Sequence, residues 1–237
     1  MFLFAMSEVR VALLNPSTST EETRRNFERD IDAELCHFDV QAGELPDAFS
    51  YDGCVITGSA TSVYWDEPWL PPLKAWVAEA IDRGMPFLGV CYGHQLLADV
   101  LGGTVEHMGE FELGYQTVSH SGEVPIMDGI DEEFLVFVSH QDRVAELPTG
   151  ATQFAQNDYG IHGFQHDKVY GVQFHPEYDM KTATGVTKEK DIPDTQKDTV
   201  LAEITEANYR RACNAKRVFD NFIGVLTTQQ SARPAAD

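Results

Sequence analysis

Apolar and polar positions along the chain change their rhythm several times, and each change marks an element. Residues 9–14 form a continuous apolar run stopped by Asn15-Pro16, as expected of a strand buried on both faces. Ser19 or Thr20 followed by Glu21-Glu22 reads as a helix start, with the pattern continuing through Phe27 and Ile31. Residues 34–40 and 53–57 read as the second and third strands. Residues 69–83 read as a helix, with Pro71-Pro72 in its first turn and Gly84 closing it. A fourth strand follows at 86–90, then a helix over 94–101 ended by Gly102-Gly103.

Strands alternating with helices predict a mostly parallel central sheet with helices on both faces, an α/β architecture. From residue 104 to 174 the rhythm becomes short strand-like runs between turn residues, which predicts a smaller antiparallel or mixed sheet added to the same core. The polar stretch 181–198 reads as an insertion or mobile loop. A last long helix is expected over 199–226, with a frayed tail from residue 231. No internal repeat is seen.

A chain of 237 residues, 43% hydrophobic, is long enough for a substantial core and too apolar to be disordered. Asp and Glu number 38 against 17 Lys and Arg, a formal charge of -21. That field repels phosphate backbones and anionic lipid, so nucleic acid and membrane are not expected partners. A face for a basic partner would gather the acids together, whereas adaptation to a high-salt interior would spread them. They are scattered over nearly every segment, which favours the halophilic reading. Cys36, Cys54, Cys91 and Cys213 form no CxxC pair, which fits a reducing cytoplasm rather than zinc or disulfides. The apolar opening, residues 1–6, lacks a basic region and does not read as a signal peptide. No stretch is long enough for a membrane span.

Chemistry concentrates at two places. Gly89-Val-Cys91-Tyr-Gly93 lies between a buried strand and a helix, where glycines two positions either side relieve the crowding around a projecting nucleophile. The strand 170–174 runs directly into His175-Pro-Glu177. Two-residue spacing in extended chain puts His175 and Glu177 on one side, where the carboxylate can orient the imidazole as a general base. His140 is the alternative base, ranked below His175 for want of an orienting acid in a strand-spaced pair. His162 and His166 share a face of a hairpin but show no third-ligand pattern, so no metal site is assigned. Trp65, Trp69 and Trp76 read as packing residues, and Cys36 and Cys54 as inert core thiols.

Taken together, Gly-Val-Cys-Tyr-Gly-His-Gln and Gly-Val-Gln-Phe-His-Pro-Glu resemble the class I glutamine amidotransferases. This triad family includes the glutaminase domain of GMP synthase, to which the chain looks closest, as a stand-alone protein. The resemblance runs roughly from Val9 to Glu177, and residues 218–222 look like the family's final helix. It implies one flavodoxin-like domain over 1–237 with a lid or insertion at 178–198, and Cys91, His175 and Glu177 as the catalytic triad. It implies an oxyanion hole from the amides of Ser59 and Tyr92, with Gly58-Ser-Ala60 standing where Gly-Gly-Pro is usual. Gly58, Gln95, Ser139, Gln141 and Asp142 then contact the substrate, with Gln141 replacing a usual glycine.

The activity this implies is hydrolysis of the side-chain amide of L-glutamine, without cofactor or metal. No ATP-binding glycine loop is seen, so ammonia would pass to a separate synthetase. Two alternatives keep the same residues: a free-standing γ-glutamyl peptide hydrolase, and a non-catalytic regulatory or binding subunit.

Overall fold

The computed structural model describes residues 9–232. The apolar opening at 1–6 and the end of the expected tail, 233–237, lie outside them. Elements follow in the order β1 (Arg10–Asn15), α1 (Thr20–Asp30), β2 (Glu34–Asp39), β3 (Gly53–Ile56), α2 (Leu70–Asp82), β4 (Phe87–Val90) and α3 (Tyr92–Val100). After them come β5 (Thr104–His120), β6 (Glu133–Glu146), β7 (Thr152–Asn157), β8 (Gly160–His166) and β9 (Val169–Val172). Four helices close the chain: α4 (Met180–Glu189), α5 (Asp194–Glu203), α6 (Glu206–Ala212) and α7 (Arg217–Ala232).

The strands form one sheet in the order β2-β1-β3-β4-β9-β8-β7-β5-β6. Its first five strands are parallel, and the remainder pair antiparallel. The expected second sheet is therefore a continuation of the first. Alternation along β1 shows why the parallel half needs helices on both sides. Val11 and Leu13 join one apolar layer with α1 and α7, through Phe27, Phe219 and Phe222. Ala12 and Leu14 join the opposite layer with α2 and α3, through Leu73, Val77, Leu96 and Leu97.

Two expectations for the C-terminal third are corrected. The stretch 181–198 is mainly helical, because Asp179 accepts a hydrogen bond from the Thr182 amide at 2.8 Å and caps α4. Ala183 of α4 and Val200 of α5 then pack on Leu113, Tyr115 and Phe137, forming a third apolar cluster on the antiparallel half. The long helix expected over 199–226 is broken. Ile204 and Thr205 leave helical dihedrals, and the Thr205 hydroxyl accepts from Asn208 to start α6. A 3-10 turn at Cys213–Lys216 then redirects the chain into α7. Ser231 and Ala232, placed in the expected tail, still belong to α7. Among the described residues no helix is long and apolar enough to cross a membrane.

Candidate active site

Cys91 occupies the turn from β4 into α3 with φ 52 and ψ -100, a conformation that L side chains rarely adopt. Its amide donates to the Val172 carbonyl at 2.8 Å, which ties the turn to β9. The flanking glycines are explained by space. A Cβ on Gly89 would stand 2.4 Å from the Gly93 carbonyl, and one on Gly93 would stand 2.3 Å from the Ile56 oxygen. Only glycine lets α3 start this close to the sheet while the turn projects the Cys91 side chain.

His175 follows β9, and its amide donates to the Phe137 carbonyl of β6 at 2.9 Å. The imidazole Nδ1 meets Glu177 Oε1 at 2.8 Å, with both side chains buried. Burial alone pushes the imidazole down, but Glu177 and Cys91 outweigh it and raise His175 to about 10. Tyr178 stacks on the His175 ring at 4.0 Å between centroids. Arg29 donates to the Glu177 carbonyl and so holds the end of the segment. Gly58 backs onto both reactive groups: a Cβ there would lie 3.0 Å from His175 Cε1 and 3.7 Å from Cys91 Cβ.

A cleft of about 300 Å³ contains Cys91, His175, Glu177, Gly58, Ser59 and Ser139. The Ser59 hydroxyl donates to the Pro16 carbonyl at 2.8 Å and lies 2.9 Å from the Thr61 hydroxyl, anchoring the loop after β3. Tyr92 opens α3, so its amide has no acceptor within the helix. A smaller cavity of about 30 Å³ shares Cys91, Ser59 and Ser139 and is walled by Gln95, His140, Gln141 and Asp142. Gln95 Nε2 donates to the Asp142 carbonyl at 2.9 Å and to Gln173 Oε1 at 3.1 Å. The Asp142 carboxylate accepts from Tyr64 at 2.9 Å and from Ser62. The chain thus brings Cys91, His175, Glu177, Gly58, Ser59, Gln95, Ser139, Gln141 and Asp142 around two adjoining cavities, with Tyr92 starting the helix beside Cys91.

Several neighbours had no mark in the sequence. Tyr178, Ser62, Tyr64, Gln173 and Lys190 acquire their positions only through packing. His140 does have an acid: its Nε2 lies 2.7 Å from Glu112 Oε2, while its Nδ1 donates to the Asp142 carbonyl at 3.0 Å. Glu112 Oε2 also meets His162 Nε2 at 3.1 Å. So the partners of His162 are Glu112 and His140 rather than His166. These three buried residues form a group whose donor atoms, all within 4.8 Å, could hold a metal ion. The carboxylate already bonds the His162 ring and lies at ion-pair distance from His140. Burial pushes Glu112 up, yet the two histidines hold it down at about 2.

Trp69 and Trp76 are buried as expected, whereas Trp65 is exposed. Cys54 is a core thiol, and burial raises its pKa well above the ordinary value. Cys36 is not a core thiol: it is half-buried, 3.6 Å from the Arg10 guanidinium on the edge strand β2.

Residues 17–190 match the family described as "Glutamine amidotransferase class-I". A glutamine-hydrolyzing GMP synthase of Vibrio vulnificus is 38% identical over 157 residues, which are 65% of this chain and 29% of that protein. The matched stretch is thus less than a third of that relative's length. Among solved structures, a glutamine amidotransferase from Thermotoga maritima superposes with a TM-score of 0.75 at 24% identity, covering 93% of this chain and 98% of that one. Another, a glutamine amido transferase from Methylobacillus flagellatus, gives a TM-score of 0.71 at 18% identity, covering 93% and 95%. At those identities the likeness speaks for the fold.

Proposed function

Since the chain belongs to the class I glutamine amidotransferases, we propose that Cys91, His175 and Glu177 hydrolyse the side-chain amide of L-glutamine. The observation that carries this reading is the shared cleft, in which a cysteine on a positive-φ turn faces an imidazole fixed by a buried carboxylate. The Cys91 thiolate attacks the amide carbon, and the tetrahedral oxyanion is met by the amides of Ser59 and Tyr92. His175, protonated, gives its proton to the leaving nitrogen, and ammonia departs from a γ-glutamyl thioester. His175 then takes a proton from water, which attacks the thioester and releases glutamate and the thiolate. Glu177 keeps the imidazole oriented and stabilises its cationic form. Gly58, Gln95, Ser139, Gln141 and Asp142 hold the rest of the substrate. None of these steps calls for a cofactor.

Ammonia made in this way has its acceptor on a separate synthetase. The family match over residues 17–190 and the 38% identity to a glutamine-hydrolyzing GMP synthase support that reading. The chain acts as a single domain over 1–237, with residues 178–198 as a lid, inside a high-salt cytoplasm.

One observation favours a second reading, hydrolysis of a γ-glutamyl peptide. The cleft extends past Cys91 to α1 and α4, about 300 Å³ in all, which is more room than ammonia needs as a leaving group. Ammonia release from glutamine at high salt, wild type against Cys91→Ala, tests the enzyme claim; loss of activity is expected, and equal rates would overturn it. A strong preference for γ-glutamyl dipeptides over glutamine would move the assignment to the second reading.

A further inference from the structure

Glu112, His140 and His162 stand on three different strands, β5, β6 and β8. Glu112 and His140 are directly opposed in the β5–β6 ladder, just after its register shift. The His140 and His162 rings meet edge to face at 5.7 Å, and all three residues are buried, at 1%, 5% and 1% exposure. The hydrogen bonds around them fix which atoms face inward. The Asp142 carbonyl can only accept, so His140 Nδ1 carries the proton in their 3.0 Å bond and Nε2 is left with its lone pair. That nitrogen lies 2.7 Å from Glu112 Oε2, yet it has no hydrogen-bond partner among the described residues. A lone pair and a carboxylate oxygen this close, out of water, repel each other unless a cation lies with them. A second proton on His140 fits that role poorly, because an N–H at Nε2 is not aimed at the oxygen well enough to bond it. The other carboxylate oxygen, Oε1, accepts from Asn157. Oε2 is thus the inward atom, and His162 Nε2 lies 3.1 Å from it.

We propose that Glu112 Oε2, His140 Nε2 and His162 Nε2 together bind a divalent transition-metal ion of the zinc class. Two imidazoles and a carboxylate suit zinc, cobalt(II) or iron(II) rather than magnesium or calcium, which take oxygen donors. The supporting contacts are those a ligand set needs. His140 gives its other ring N–H to a backbone carbonyl, and an amide holds the Glu112 carboxylate. The ion ties β5, β6 and β8 together where β6 supplies Ser139, Gln141 and Asp142 to the narrow cavity. Its role is structural, and the assignment does not depend on the amide-hydrolase reading.

Elemental analysis of the full chain, purified in KCl without chelator, given zinc and then dialysed, tests this. Wild type should retain about one ion per chain, and Glu112→Gln and His162→Gln less than about a tenth of that. Cys91→Ala should retain it in full, which separates this site from the thiol. Because substitutions at buried positions can unfold the chain, two readings on unaltered protein stand beside them. Cobalt(II)-loaded wild type should show visible d–d absorption without a near-ultraviolet thiolate band. Zinc should raise the Tm of chelator-stripped wild type by several degrees. No retained ion and no zinc-dependent shift in Tm overturns the proposal and leaves the cluster held by a proton. Full retention by both folded variants, loss of the ion from Cys91→Ala, or a thiolate band overturns it too, by placing the ion elsewhere.

Discussion

His175 sits between Glu177 and Cys91, and both work against its burial to raise its pKa. Its pKa is about 10 in the folded chain against an ordinary 6.5. The stabilisation from its ion pair is therefore complete below about pH 6.5 and is lost as pH rises through about 10. Urea unfolding across that window should show falling stability in wild type and a flatter profile in His175→Gln. Glu112 has the opposite sign: held at about 2 against 4.5, it stabilises above pH 4.5, and that contribution is lost as pH falls through about 2. Glu177→Gln should leave the chain folded and lower kcat about 100-fold or more, measured as ammonia release, because the imidazole loses its orienting acid. The proximity of Cys91, His175 and Glu177 was legible in the sequence because a glycine-flanked turn and a two-residue spacing after a strand are local features. Glu112, Tyr178 and Lys190 were not, since each meets its partners across 28 or more positions or by a stacking that no spacing encodes.

At the level of elements, the Cys91 turn and α4 depend on different forces. Gly93→Ala places a Cβ 2.3 Å from the Ile56 oxygen, so α3 must move off the sheet. A loss of about 1–3 kcal/mol or more is expected in urea unfolding. Asp179→Ala removes the cap of α4 and also the acceptor for Arg25 at 3.0 Å and Arg29 at 2.9 Å. Hydrogen exchange should quicken throughout α4 at a cost of about 1 kcal/mol for the cap, with KM rising more than kcat falls. The parallel strands were readable because burial on both faces demands uninterrupted apolar runs. The helices from 180 to 216 were not, because α5 and α6 are largely polar and bury little: Val200 is the one buried residue of α5, and α6 has none. Their breaks come from Thr205 and the 3-10 turn, which a helical periodicity reads straight through.

Across the whole molecule the charge of -21 should repel itself at low ionic strength. If the acids serve a high-salt interior, the thermal midpoint should rise steeply from low salt to molar KCl, and ammonia release should rise with it. A midpoint indifferent to salt would favour a gathered face for a basic partner instead. Co-purification from cell extract tests the separate synthetase, whose addition should raise glutamine hydrolysis above that of the isolated chain.

The central claim is that Cys91 forms a covalent γ-glutamyl intermediate on a site built by His175 and Glu177. Acid quenching of the reaction with isotopically labelled glutamine, followed by peptide mapping, tests it most directly. The label is predicted on the Cys91 peptide of wild type and absent from Cys91→Ser. Steady ammonia release with no label on Cys91, or label on Cys36 or Cys213, would contradict it.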